Sequence, residues 1–241
     1  MVKKLKSTAK RAGRPAKPTI NPGESFSDYA YRALEQMVLS GEISPGVWIT
    51  EKQLGSKLGI SRTPVRDAIR RLMNARLIEV VPRKGIKITE IDYYDQMQLL
   101  EFRRHAEHFV TMRAAQSIDD VGAQYLKTLA NQIHRRAAAG DAAGYFEADL
   151  QFKFFLLRIV RNPYAENAIH PLWAGARRFS WITRGTRRLV ERASLTARLA
   201  RAIALRDVDA ALKATDAYID HSILAMKQRM FPNDVKTKKA G

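Results

Sequence analysis

The 241-residue sequence contains no cysteine, which excludes disulfides, thiolate-bound zinc and cysteine nucleophiles. That absence fits a reducing compartment, and a cytoplasmic location is the expectation. No apolar run reaches the roughly 20 residues of a membrane span. The longest candidate, residues 152–160, is interrupted by Lys153 and Arg158, so no membrane partner is expected. Acidic residues are missing before Glu24, and the basic opening runs into Ser, Ala, Arg and Pro rather than the apolar segment of a signal peptide. Glycine-rich phosphate loops are missing too, and no nucleophile–base pair emerges, so an enzyme is not expected.

What is present is positive charge. Lys and Arg number 42 against 24 Asp and Glu, a formal net charge of +18 that favours a polyanionic partner such as nucleic acid. Part of the excess lies at the ends, in Lys3, Lys4, Lys6, Lys10, Arg11, Arg14 and Lys17, and in Lys236, Lys238 and Lys239. Residues 1–24 lack a hydrophobic period and are expected to be a disordered basic tail, as are residues 232–241. Within the first tail, residues 12–17 (AGRPAK) resemble the core of an AT-hook. The competing reading is a generic tail that attracts phosphates without preference.

From Phe26 the pattern turns helical, with Tyr29, Leu34, Met37 and Val38 as an apolar stripe closed by the turn Ser44-Pro45-Gly46. Thr50 followed by Gln53 predicts a capping box that opens a short helix, and Gly59 ends it. Ser61 is placed to cap the next helix, with Pro64 in its first turn, where a missing N–H costs little. That helix carries Val65, Ile69, Leu72 and Met73 on one face and Arg62, Arg66 and Arg70 as a separate stripe. Residues 78–81 and 86–89 read as two short strands joined by the basic tip Pro82-Arg83-Lys84-Gly85. Helix, helix-turn-helix and basic hairpin together describe a winged helix-turn-helix over residues 25–91.

Beyond residue 92 the chain reads as Ala/Leu/Arg-rich helices near 93–117, 119–139, 141–161, 163–184, 187–206 and 207–230. The expected fold is mainly α: an N-terminal winged helix-turn-helix with a short β-hairpin wing, and a C-terminal antiparallel all-helical bundle over residues 92–231.

At residues 54–78 the run LGSKLGISRTPVRDAIRRLMNARLI, followed by VVPRKGIKI, resembles the GntR family of bacterial transcriptional regulators. The bundle resembles the FCD effector-binding domain of that family's FadR subgroup, through Glu101-Phe102-Arg103-Arg104, Asp149 with Phe152, Asn162-Pro163, Ala202-Ile203 and Arg206-Asp207. The resemblance implies a homodimer that sets two recognition helices into a near-palindromic operator of double-stranded DNA. Carried over residue by residue, it implies Lys52, Arg62, Thr63 and Arg66 on the recognition surface and Gly85 at the wing tip. Arg62 and Arg66 suit base reading through guanine O6 and N7, whereas Arg70, Arg83 and Lys84 suit phosphates.

The FCD resemblance also implies a divalent metal, held by an Asp, a His one turn later and one His from each of two later helices. Here those positions hold Asp149, Lys153, Thr196 and Tyr218, so no metal or other cofactor is expected. It further implies one cavity formed by Arg103, Asp149, Lys153, Thr196 and Tyr218, in which Arg103 and Lys153 suit an anionic effector such as a carboxylate. The sequence leaves Lys153 open between that cavity and solvent. Trp173 and Trp181 are open between core, dimer contact and cavity, and His221 is the histidine that a shifted alignment would turn inward. The expected function is a DNA-binding regulator modulated by a small metabolite; the alternative is an architectural DNA-binding protein whose bundle serves only dimerisation.

Overall fold

The computed structural model describes residues 19–182 and 185–231. The hook-like residues 12–17 and the closing residues 232–241 lie outside them. The chain divides into two compact units between Thr89 and Glu90.

In the first unit, α1 (Phe26–Leu39) starts at Ser25, whose side chain accepts a hydrogen bond from the Asp28 N–H at 3.1 Å. It buries Ala30, Leu34, Val38 and Leu39, while Tyr29 and Met37 of the expected stripe are only half-buried. Arg32 bonds both Glu24 and the Thr19 carbonyl, so residues 19–24, expected within the tail, are tied to this helix. A two-residue strand, β1 (Trp48–Ile49), comes next; the sequence reading missed it because so short a segment carries no period.

The capping box forms as expected. Gln53 N–H donates to Thr50 Oγ1 at 3.2 Å and Thr50 N–H to Gln53 Oε1 at 2.8 Å, opening α2 (Glu51–Leu58). Gly59 closes α2 in the left-handed conformation that glycine adopts without steric cost. Helix α3 (Arg62–Asn74) departs from expectation twice. Ser61 has the extended backbone of an N-cap, but its side chain accepts no capping bond. Met73, assigned to the apolar face, is 41% exposed, and Ala68 takes its place beside Pro64, Val65, Ile69 and Leu72.

Strands β2 (Ile78–Val81) and β3 (Gly85–Ile88) form the hairpin, and β1 adds to it as an antiparallel third strand in the order β1-β3-β2. Gly85 sits opposite Val81, with φ at +109°, and a Cβ there would lie 3.0 Å from the Ile49 carbonyl oxygen of β1. The fold itself therefore demands glycine at the wing. Gly85→Ala is expected to cost about 1–3 kcal/mol through this strain. An unchanged unfolding midpoint for the N-terminal unit would refute it.

The second unit is wholly helical among the described residues: α4 (Tyr93–Ser117), α5 (Asp120–Ala138), α6 (Ala142–Val160), α7 (Pro163–Ile182), α8 (Thr186–Ala204) and α9 (Val208–Met230). Asp92, Asp119, Asp141 and Asp207 cap four of these helices by accepting backbone N–H bonds, and Asn162 Oδ1 accepts two at the start of α7. Asn162 is thus a structural cap. α5 packs on α6 and α8, and α4 on α7 and α9, around a core that includes Leu126, Ile133, Tyr145, Phe152, Ile169 and Ile203. The mainly α architecture read from the sequence, with its small winged sheet, is the one observed.

Candidate functional site

Two chemically distinct sites emerge, one in each unit. The first is the outer face of α3. Burial of Val65, Ala68, Ile69 and Leu72 against the unit's core turns Arg62, Thr63, Arg66 and Arg70 to solvent, all exposed. Lys52 on α2 and Arg83 and Lys84 at the hairpin tip are exposed as well. Arg83 adopts φ +65°, and the Lys84 N–H closes the turn on the Val81 carbonyl at 3.1 Å.

The arginines of α3 are not equivalent. Arg66 Nε reaches Glu51 Oε2 at 2.8 Å, and Arg70 pairs with Asp67 one turn away at 2.8 Å. Both pairs are solvent-exposed and therefore weak, so either arginine exchanges its carboxylate readily for another anion. Arg71 points elsewhere: it bonds Asp28 and lies 4.0 Å from the Tyr31 ring centroid, fastening α3 to α1.

The second site lies inside the helical unit. Helical spacing aligns Arg103, Glu107 and Thr111 on one face of α4, and Asp149 with Lys153 on one face of α6. All five are buried. Lys153 Nζ donates to Asp149 Oδ2 at 2.7 Å and lies 5.7 Å from the Trp173 ring and 5.8 Å from the Tyr218 ring. This settles what the sequence left open: Lys153 faces inward, held by a carboxylate and two aromatic faces. Burial pushes the Asp149 carboxyl up, but the Lys153 ammonium, with the Arg192 and Arg103 guanidiniums, outweighs burial and holds it below its ordinary range. Asp149 Oδ1 is buried without a hydrogen-bond partner.

Asp149, Lys153, Thr196 and Tyr218 line one small cavity of about 20 Å³ together with Glu107, Thr111 and Trp173. Arg103, expected in the same cavity, is not among its walls. Its Nε and Nη2 both donate to Glu107 Oε1, at 2.8 and 2.6 Å, and its guanidinium lines an adjoining cavity instead. Trp173 Nε1 donates to the same Glu107 oxygen at 2.8 Å, which makes this tryptophan a cavity wall. Trp181 is half-buried and packs on Phe146, with centroids 5.2 Å apart.

The residues at the family's metal positions do not fit a metal. Lys153 is a cation already bonded to Asp149. The Thr196 hydroxyl donates to the Arg192 carbonyl at 3.1 Å, and the Tyr218 hydroxyl accepts from Arg192 Nη2. Among the described residues no group of three or more His, Cys, Asp or Glu side chains is placed to hold an ion. His221 does face the adjoining cavity, with Nε2 3.3 Å from Glu191, but among the described residues no third ligand-type side chain joins this pair.

Sequence reasoning missed Glu107 and Arg192, the two charged residues that organise these walls. The signal for each was helical spacing. Glu107 lies one turn from Arg103, and Arg192 lies one turn from Thr196, so each shares a face with a residue already singled out.

The comparisons with known proteins agree with this geometry. The profile of the family described as "Bacterial regulatory proteins, gntR family" matches residues 26–88, and that of the FCD domain matches residues 98–221. Among curated relatives, the HTH-type transcriptional repressor RspR of Escherichia coli (strain K12) is 26% identical over 164 residues, 68% of this chain and 72% of RspR. The solved structure of E. coli McbR/YncC superposes with a TM-score of 0.74 at 19% identity, covering 86% of this chain and 99% of that one. A putative transcriptional regulator GntR from Rhodococcus sp. RHA1 superposes with a TM-score of 0.65 at 21% identity, over 83% and 97%. At those identities the two structures establish the fold, and the two matched profiles establish the kinship. The chain belongs to the GntR family of bacterial regulatory proteins, as a transcriptional regulator that joins a GntR-type DNA-binding domain to an FCD effector domain.

Proposed function

We propose that the protein binds a near-palindromic operator as a homodimer, and that a small anionic metabolite, of the carboxylate class, modulates this binding from the helical domain. In this reading Arg62, Thr63 and Arg66 read bases, with Lys52 beside them. Arg70, Arg83 and Lys84 meet phosphates, and Gly85 keeps the wing backbone close. The observation that carries it is the solvent-facing arginine stripe of α3 beside a basic wing, over a helix whose other face is fully buried.

The effector half rests on the buried cations. A domain that served only dimerisation would have no use for Arg103, Lys153 and Arg192 in its interior, since each buried charge costs free energy unless a partner offsets it. The effector works without a metal, because the domain's own buried cations, Arg103, Lys153 and Arg192, supply positive charge in its interior. By linkage, the effector and the operator change each other's affinity by the same factor.

Footprinting of the full chain on its own upstream DNA is the test. The expected result is one short, palindromic protected stretch whose protection changes when small carboxylates are added. Protection spreading along any A/T-rich DNA, indifferent to carboxylates, would instead establish the architectural reading.

A further inference from the structure

The adjoining cavity is the more electropositive of the two. Gln96, Arg103, Ser180, Arg188, Arg192 and His221 line it, and among the described residues no Asp or Glu does. Arg103 is neutralised by Glu107, but the other two arginines bond only neutral oxygens among their hydrogen-bond partners. Arg188 Nη2 donates to Gln228 Oε1 at 2.8 Å, and Arg192 donates to the hydroxyls of Ser180 and Tyr218. Asp149, whose field reaches Arg192, is already paired with Lys153.

Two donors of this wall are buried with no hydrogen-bond partner, Gln96 Nε2 and Arg192 Nε, and so is His221 Nδ1, which donates to an anion when the ring is protonated between that anion and Glu191, 3.3 Å from Nε2. Gln96 and Arg192 are each more than nine-tenths buried. Buried donors are ordinarily satisfied, and a buried guanidinium whose partners are all neutral is costly. One anion in the cavity would satisfy both deficits. The free volume, about 20 Å³, admits one water-sized group, so the cavity suits the charged head of a ligand rather than a whole metabolite.

We propose that this second cavity, walled by Arg188, Arg192, His221 and Gln96, is the seat of the effector's carboxylate, and that the Asp149–Lys153 cavity is not. The two adjoin, because Arg192 of the second bonds Tyr218 of the first. A ligand anchored on Arg192 therefore reaches the unpartnered Asp149 Oδ1 only with a second, hydrogen-bond-donating group. The inference rests on the reading that the helical domain takes a small carboxylate, and it assigns that group a place.

The test titrates the full chain with sodium formate and sodium acetate at constant ionic strength, with acetamide as the neutral control. The thermal midpoint is followed by helical circular dichroism, since a ligand that binds only the folded state raises it. Formate and acetate are expected to give a saturable rise that acetamide does not. Arg188→Gln and His221→Gln, neither of them fully buried, should each weaken it about tenfold or more. Thr196→Val, in the Asp149 cavity, should leave it within about threefold. Arg192→Gln should abolish the rise, and the two milder variants decide the matter if it fails to fold. The opposite pattern, with Thr196→Val abolishing the rise and the Arg188 and His221 variants neutral, would move the carboxylate to the Asp149 cavity and overturn the inference while sparing the carboxylate reading. No saturable response to either carboxylate would overturn both.

Discussion

Lys153→Met is expected to destabilise the helical domain by about 3–5 kcal/mol at neutral pH, the cost of leaving one partner of a buried ion pair alone. Asp149 is 1% exposed and Lys153 6%, so water cannot replace the lost ammonium. The pH dependence gives the prediction its sign. In the native chain the Asp149 carboxyl is held below its ordinary range, so its contribution is present at neutral pH and is lost as pH falls through the folded-state value. In the variant, burial acts with its principal counter-charge removed, so the Asp149 carboxyl is expected to titrate higher than in the native chain. The cost is then full at neutral pH and shrinks as the carboxyl protonates. Unfolding at pH 7 and pH 5 should show a deficit that narrows on acidification, and adding Asp149→Asn should recover much of it. A Lys153→Met deficit below about 1 kcal/mol at pH 7 would mean that the pair is not the buried anchor described here.

The same pair sets the response to metals. Zn²⁺ and Ni²⁺, tested against chelator controls, are expected to leave the native chain's thermal midpoint unchanged, because Asp149 is occupied by an ammonium. A large metal-dependent rise would refute that occupancy.

The second large effect concerns DNA. Arg66→Ala is expected to remove operator preference while leaving weak, salt-sensitive binding. A bidentate arginine–guanine contact gives about 1–3 kcal/mol of base discrimination, or roughly 5- to 150-fold per half-site. In the free protein Arg66 is held by Glu51, an exposed pair that costs little to break. Glu51→Ala should therefore leave operator affinity close to native, whereas Arg66→Ala lowers it on the operator far more than on random DNA. Equal loss on both DNAs would demote Arg66 to a phosphate contact.

The DNA-binding half was legible because its signals are local. The Thr50–Gln53 capping box, the Gly59 stop and Pro64 in the first turn of α3 each act within a few residues, and all three are observed where the sequence places them. Apart from the Ser61 cap, the misreadings of this half arose where a distant contact decides. Met73 has the right period for the core but is exposed, and β1 exists because Trp48 and Ile49 pair with Lys87 and Ile86, nearly forty residues away. Gly85 was legible as a wing glycine, yet the reason visible in the fold is the Ile49 carbonyl pressed against it.

In the helical half, one-turn spacing showed that Asp149 and Lys153 share a face, but spacing does not say which way a face turns. Lys153 is a solvent residue by its type and an interior one by its neighbours. Only the packing of α6 against α4, with Trp173 and Tyr218 closing around it, decided between them.

The sequence by itself determined the winged helix-turn-helix and the outward arginines of α3, which follow from residue type and short-range period and need no knowledge of the rest of the chain. Its resemblance to a known family supplied the kinship and the departure from the metal-binding residue set. The tertiary structure alone decided that Lys153 is buried, that Arg103 is spent on Glu107, and that Arg188 and Arg192 face a cavity that no Asp or Glu lines among the described residues. Charge compensation depends on which helices touch, and α4 meets α7, α8 and α9 there across some seventy or more residues of sequence.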